Sequence, residues 1–170
     1  MAGICRKRVA DLCRTVTVGY CPEERGIFAS LTCEENLLLP PDLAPDGMSL
    51  GDIYGMFPNL LERKNSPGAR LSGGEQQMLA LARILRSGAR LLLLDEISEG
   101  LAPVIVQHLA RVIDQLKSLG YTIVLVEQNF HFVAALADRM LVVEHGEIVL
   151  QVDADKLEEH RSELEQLLGV

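Results

Sequence analysis

The sequence predicts an α/β fold built on a parallel sheet, and three observations carry the prediction. Leu91–Leu94 and Thr122–Val126 are continuous apolar runs of strand length, as expected for parallel strands covered on both faces. Between them Pro103 suits a first helical position, the apolar pattern runs to about Leu119, and Gly120 ends it, which makes a βαβ unit with an expected right-handed crossover. Ahead of them, Ser72-Gly-Gly-Glu75 has the form of a capping box and leads into Met78, Leu79, Ala82 and Leu85 at helical spacing, with Gly88 as the C-terminal cap.

The remaining elements follow in order. Thr15 to Cys21 is rich in β-branched residues and stops at Pro22, so a short strand precedes a charged loop through residue 30. Thr32 and Glu35 form another capping box, and the helix they start runs through Leu39 to Pro40-Pro41. Residues 40 to 50 read as a turn-rich linker, and Ser49 begins a second short helix that must stop near Pro58. Residues 32 to 70 therefore form a small helical insertion. Met140–Glu144 and Glu147–Val152 flank His145-Gly146, a fair hairpin turn. A last amphipathic helix is expected from Asp155 to Leu168, with Leu157, Leu164 and Leu168 on one side.

Composition narrows the function. At 170 residues, 48% of them apolar, the chain fits one domain. A net charge of −8 argues against broad contact with a phosphate backbone, so nucleic acid is not an expected partner. The four cysteines, Cys5, Cys13, Cys21 and Cys33, show no C-x-x-C spacing, which indicates reduced thiols rather than a zinc or redox site. Arg6-Lys7-Arg8 is followed by nothing apolar enough for a signal peptide, and no apolar run approaches the ~20 residues that span a bilayer. The four histidines share no ligand spacing.

Two segments carry chemistry. Glycines at the start of a helix let backbone amides approach an anion closely, and Ser72 adds a further donor; the bland alternative is a plain helix start. Asp95 ends a parallel strand, where a Mg²⁺ ligand belongs, and Glu96 beside it can orient or deprotonate a water; the bland alternative is an ordinary buried strand. Glu127 and Gln128 end the next strand at the same sheet edge. No stretch Gly-x-x-x-x-Gly-Lys-Ser/Thr, the loop that cradles nucleotide phosphates, occurs in the sequence.

From about Val16 to Val152 the sequence resembles the ATP-binding subunit of ABC transporters. Leu71–Glu75 matches the family signature, Leu91–Asp95 the Walker B strand, Glu96 the catalytic glutamate and Ser98–Ala102 the D-loop. Glu23 stands at the Q-loop position in place of glutamine, Gln128 at the switch position in place of histidine, Ala102 in place of the D-loop aspartate, and Ile97 where most of the family has proline. The stretches Tyr20–Phe28, Glu99–Pro103 and Val126–Asn129 are similar to the subgroup that powers importers of branched-chain amino acids and related amides or urea. The resemblance implies a RecA-like P-loop NTPase core that lacks the P-loop strand, a partial ATPase domain over residues 1–170 with a helical subdomain at about 32–88. It implies Glu96 and Gln128 as catalytic residues, Asp95 as the metal ligand, and Ser72, Gly73, Gly74, Glu75 and Glu23 toward the nucleotide. It further implies ATP and Mg²⁺ in a complete or composite site, a second ABC ATPase subunit as homo- or heterodimer partner, membrane permease subunits, and a cytoplasmic location at the inner face of the membrane.

By the same resemblance the missing strand would lie between Thr122–Val126 and Met140–Glu144, leaving an open apolar edge unless the second run slides in to pair with the first. An N-terminally truncated or split protein is the ordinary explanation, and hydrolysis of ATP by the chain alone is not expected. Two functions stand against each other: a working subunit of an amino-acid importer, and a non-catalytic remnant or regulatory module that occupies a permease or partner subunit. A chromosome-maintenance ATPase would need long heptads or a basic face, and neither is present.

Overall fold

The computed structural model describes residues 17–45, 47–162 and 164. Cys5, Cys13, the Arg6–Arg8 cluster, the expected strand start at Thr15 and the end of the last helix lie outside them.

Three parallel strands form the central sheet in the order β1 (Val18–Cys21), β2 (Leu91–Asp95), β3 (Thr122–Val126). Register is set residue by residue, with Val18, Leu91 and Thr122 in one row and Tyr20, Leu93 and Val124 in another. Between β1 and β2 the chain makes α1 (Cys33–Leu38), α2 (Leu50–Met56), α3 (Pro58–Glu62) and α4 (Gly73–Arg86). Each of α1, α2 and α4 starts with a capping box, Thr32–Glu35, Ser49–Asp52 and Ser72–Glu75 respectively. Pro58 ends one helix and opens the next, with Phe57 fully buried at the joint. α5 (Pro103–Ser118) joins β2 to β3, and Gly120, at φ +81°, makes the turn that returns the chain to the sheet.

One face of the sheet is covered. Leu92 and Leu94 are buried there with Leu79, Ala82 and Leu85 of α4 and Leu109, Ile113 and Leu116 of α5. Gly19 sits so close to α4 and the segment that follows it that a Cβ would lie 3.1 Å from Ile84 Cβ and 3.0 Å from Ala89 Cβ, so a side chain there would have to push its neighbours back. The opposite face carries Tyr20, Val124 and Val126, which are 55%, 47% and 55% exposed.

β4 (Arg139–Glu144) and β5 (Glu147–Asp153) form a separate antiparallel hairpin. His145 and Gly146 take φ +50° and +83°, the left-handed pair that a two-residue hairpin turn requires. Of the two arrangements the sequence left open, the structure adopts the unclosed one: among the described residues β3 pairs with β2 and β4 with β5.

Beyond α3, which opens at the proline where the sequence reading only ended a helix, and a 3₁₀ turn at Gly68–Arg70, two further elements depart from that reading. Between β3 and the hairpin lies α6 (Phe130–Ala134), which the pattern did not predict; its signal is Asn129, whose Oδ1 accepts from the Phe132 N–H at 3.2 Å. The last segment begins as a 3₁₀ turn, Ala154–Lys156, with further turns through His160, rather than as a helix from Asp155. Its N-cap, Asp153, makes no side-chain cap bond, so nothing local fixes a helix start there. Leu164 is nevertheless buried against Phe130, Met140 and Val142, with Leu157 beside them.

Candidate functional site

The carboxyl ends of β2 and β3 bring Asp95, Glu96, Glu127 and Gln128 together, because the parallel register sets Asp95 beside Val126. In sheets of this kind, ligands bind in the crevice beyond these strand ends. Glu96 adopts a left-handed backbone at φ +46°, uncommon for a residue with a side chain, and donates its N–H to Val126 O at 2.9 Å. Ile97 turns inward and is fully buried, so the departure from proline is absorbed by the core. Gln128 is exposed.

Two contacts at this edge were not legible in the sequence. The Tyr20 hydroxyl donates to Asp95 Oδ2 at 3.0 Å, and this bond, with some burial and the Asp95 charge, raises the phenol above its ordinary value. Glu127 accepts from the Ser98 N–H and the Ser98 hydroxyl, each at 2.8 Å. Burial raises the Glu127 carboxyl above its ordinary value, with the Glu96 charge adding to it, against bonds from Ser98 and Asn129 that lower it.

The second group lies at the start of α4. Ser72 Oγ accepts from the Glu75 N–H at 3.3 Å while Glu75 Oε2 accepts from the Ser72 N–H at 2.7 Å, so the serine caps its own helix. Glu75 also pairs with Arg63 at 3.2 Å. Burial pushes that carboxyl up, and the bonds from Ser72 and Arg63 outweigh it and hold the group below its ordinary value. Gly74 serves packing: a Cβ there would come within 3.0 Å of Ile105 Cγ1 and Cγ2, so the glycine lets the ends of α4 and α5 meet.

The loop after β1 is held against α4. Arg25, at φ +64°, donates to Gln77 Oε1 and Gln76 Oε1 at 3.2 Å each, and its guanidinium lies 3.4 Å from where a Gly73 Cβ would stand. Arg83 donates to Gly26 O and stacks over the Phe28 ring at 5.1 Å. Glu23 is exposed on this loop.

A Mg²⁺ that brings its own phosphate ligands needs only one or two protein carboxylates. Asp95 at the strand end fits that role, whereas the described residues contain no group of three His, Cys, Asp or Glu that could hold a metal by themselves. Glu75 is engaged by Ser72 N–H and Arg63, while the Ser72 hydroxyl accepts from the Glu75 N–H and keeps its own proton to donate beside the start of the helix.

This fold and edge define a nucleotide-triphosphatase-like α/β domain with a helical insertion. The ABC transporter family model matches residues 11–99, and the chain belongs to that family. It is 44% identical over 137 residues to the high-affinity branched-chain amino acid transport ATP-binding protein BraG of Pseudomonas aeruginosa, covering 79% of this chain and 59% of that protein. It is 31% identical over 160 residues to the probable branched-chain amino acid transport ATP-binding protein LivF of Archaeoglobus fulgidus, covering 90% of this chain and 66% of that protein. The chain thus spans about three fifths to two thirds of the length of these relatives. Among solved structures, a dimeric bacterial ABC transporter cassette superposes with a TM-score of 0.70 at 21% identity, covering 86% of this chain and 68% of that one. A dimeric cassette in a post-hydrolysis state with ADP and Pi gives 0.65 at 22% identity, covering 84% and 65%.

Proposed function

We propose that the chain is an ATP-binding subunit, or a portion of one, of an ABC importer for branched-chain amino acids or related amides. The observation that carries the reading is the juxtaposition of Asp95 and Glu96 with Glu127 and Gln128 at one sheet edge, together with a glycine-led helix start whose adjoining loop bears Glu23. In this reading Asp95 is a ligand of the nucleotide's Mg²⁺, Glu96 orients the attacking water, and Gln128 contacts the transferred phosphate. Ser72, Gly73, Gly74 and Glu75 form the surface that meets nucleotide bound by a second ATPase subunit. Residues 32–88 form the helical subdomain toward the permease. The similarity to the two amino-acid transport proteins supports the solute class. No helix among the described residues is long and apolar enough to cross a membrane, so attachment to the inner face would run through permease subunits.

Positioning and charge neutralisation dominate phosphoryl transfer, and the sequence contains no phosphate-cradling loop. The chain alone is therefore expected neither to bind ATP tightly nor to hydrolyse it, and activity is expected to depend on a partner. Micromolar ATP binding by the pure chain, abolished by substitution of Asp95, would falsify this. The second reading is a non-catalytic module docked on a partner. ATPase activity of a reconstituted complex that is unchanged by Ser72→Arg selects that reading.

A further inference from the structure

The turns after β2 and β3 meet at a single carboxylate. Glu127 Oε1 accepts the Ser98 N–H and Oε2 accepts the Ser98 hydroxyl, both at 2.8 Å. Glu127 itself stands on the other turn, directly before Gln128. Ser98 lies two residues beyond Glu96, and Asn129 follows Gln128 directly. The turn after β2 is otherwise held by the Glu96 N–H bond to Val126 O at 2.9 Å and by the buried Ile97 side chain. Glu96 sits in a left-handed conformation, and the bonds from Glu99 N–H to Glu96 O and from Leu101 N–H to Ser98 O are long, at 3.3 and 3.4 Å. Ser98 is buried, so a loss of its acceptor is not made good by water.

We propose that Glu127 is a positioning residue: its carboxylate is a strut that makes the turn bearing Glu96 and the turn bearing Gln128 move as one unit. A carboxylate suits this place because it is acceptor-only and its two oxygens offer several lone-pair directions, so the N–H and the hydroxyl of Ser98 each find one. Hydrogen bonds to an ionised acceptor are also the stronger kind. The consequence for chemistry rests on the assignment of Glu96 and Gln128 made above; the coupling itself is a property of the chain and is tested without nucleotide.

The test is amide hydrogen exchange of the full chain, with the Phe28 amide, held by Asn36 Oδ1 at 2.8 Å, as the internal reference for overall stability. Glu127→Ala is expected to speed exchange at Ser98 by about tenfold or more, with Phe28 unchanged. Glu127→Gln keeps an acceptor for the Ser98 N–H and is expected to restore most of the protection there. The decisive readout is the Phe132 amide of the second turn, held by Asn129 Oδ1 at 3.2 Å and not itself a donor to Glu127. A strut requires that amide to exchange faster in Glu127→Ala as well; an unaltered Phe132 amide means that the carboxylate holds the first turn alone and overturns the proposal. Where a phosphate loop completes this chain's own strand edge, Glu127→Ala is expected to lower kcat with little change in KM for ATP. Coupled exchange with unaltered turnover upholds the strut and counts against the assignment of Glu96 and Gln128.

Discussion

Asn36 is the position at which one substitution tests most of the reasoning about how the candidate site is supported. It is fully buried, its Oδ1 accepts the Phe28 N–H at 2.8 Å, and its Nδ2 faces the carbonyls of Phe28, Leu31 and Thr32 at 2.9, 3.2 and 2.9 Å. The side chain thereby fastens the end of the Glu23-bearing loop to α1. The three carbonyls each keep another donor, from Leu31 N–H, Gly68 N–H and Asn36 N–H, so Asn36→Ala orphans chiefly the Phe28 N–H. One orphaned buried donor, the lost amide bonds and the small void sum to about 2–4 kcal/mol of destabilisation, less the few tenths gained from the better helix propensity of alanine. Asn36→Asp should be worse at pH 7 by about 1 kcal/mol or more, because it retains the acceptor for Phe28 but turns a charged oxygen toward three carbonyl oxygens. Urea unfolding of the three proteins followed by circular dichroism measures both differences. The aspartate variant should recover part of its deficit as the buried carboxyl takes up a proton in acid. An aspartate variant as stable as the alanine variant at pH 7 would refute the assigned geometry.

Further outcomes follow from the same structure. In β3 the Thr122 N–H and the Val126 carbonyl point to β2, so Thr122, Val124 and Val126 amides should exchange slowly, while Ile123 and Leu125 amides, on the open edge, exchange fast. Equal protection across residues 122 to 126 in a soluble monomer would show that something closes that edge. Val124→Lys is expected to lower concentration-dependent self-association of the chain in sedimentation runs, since it charges the exposed face beside the edge. Glu75 has a folded pKa held below its ordinary value of 4.5, so the stability it contributes is present above that value and is lost as pH falls through the lowered one. Glu75→Gln should flatten the acid limb of a stability–pH curve, and an unchanged limb would mean that the Ser72 and Arg63 contacts contribute nothing. In a complex with a complete partner subunit, Ser72→Arg should depress ATPase activity far more than Glu96→Gln. The reverse ranking in steady-state assays would mean that this chain's own strand edge faces a working phosphate site.

The sequence by itself determined the elements whose causes are local. Capping boxes at Thr32 and Ser72, Pro103 at a helix start, Gly88 and Gly120 at helix ends and the His145-Gly146 turn each satisfy particular backbone groups within a few residues, and the structure contains all of them. The family motifs at Ser72–Glu75 and Asp95–Glu96 were legible for the same reason, since each occupies one continuous stretch. What the tertiary structure decided are pairings between residues far apart in the chain. The Tyr20–Asp95 bond links positions 75 residues apart, and the Ser98–Glu127 bonds link positions 29 apart. No periodicity encodes them; they exist because parallel register brings three strand ends to one edge. Gly74 makes the point most sharply. In the sequence it is a glycine that lets amides approach an anion, and in the fold it is also where a Cβ would press on Ile105 of another helix, a constraint that only the packing of α4 on α5 creates.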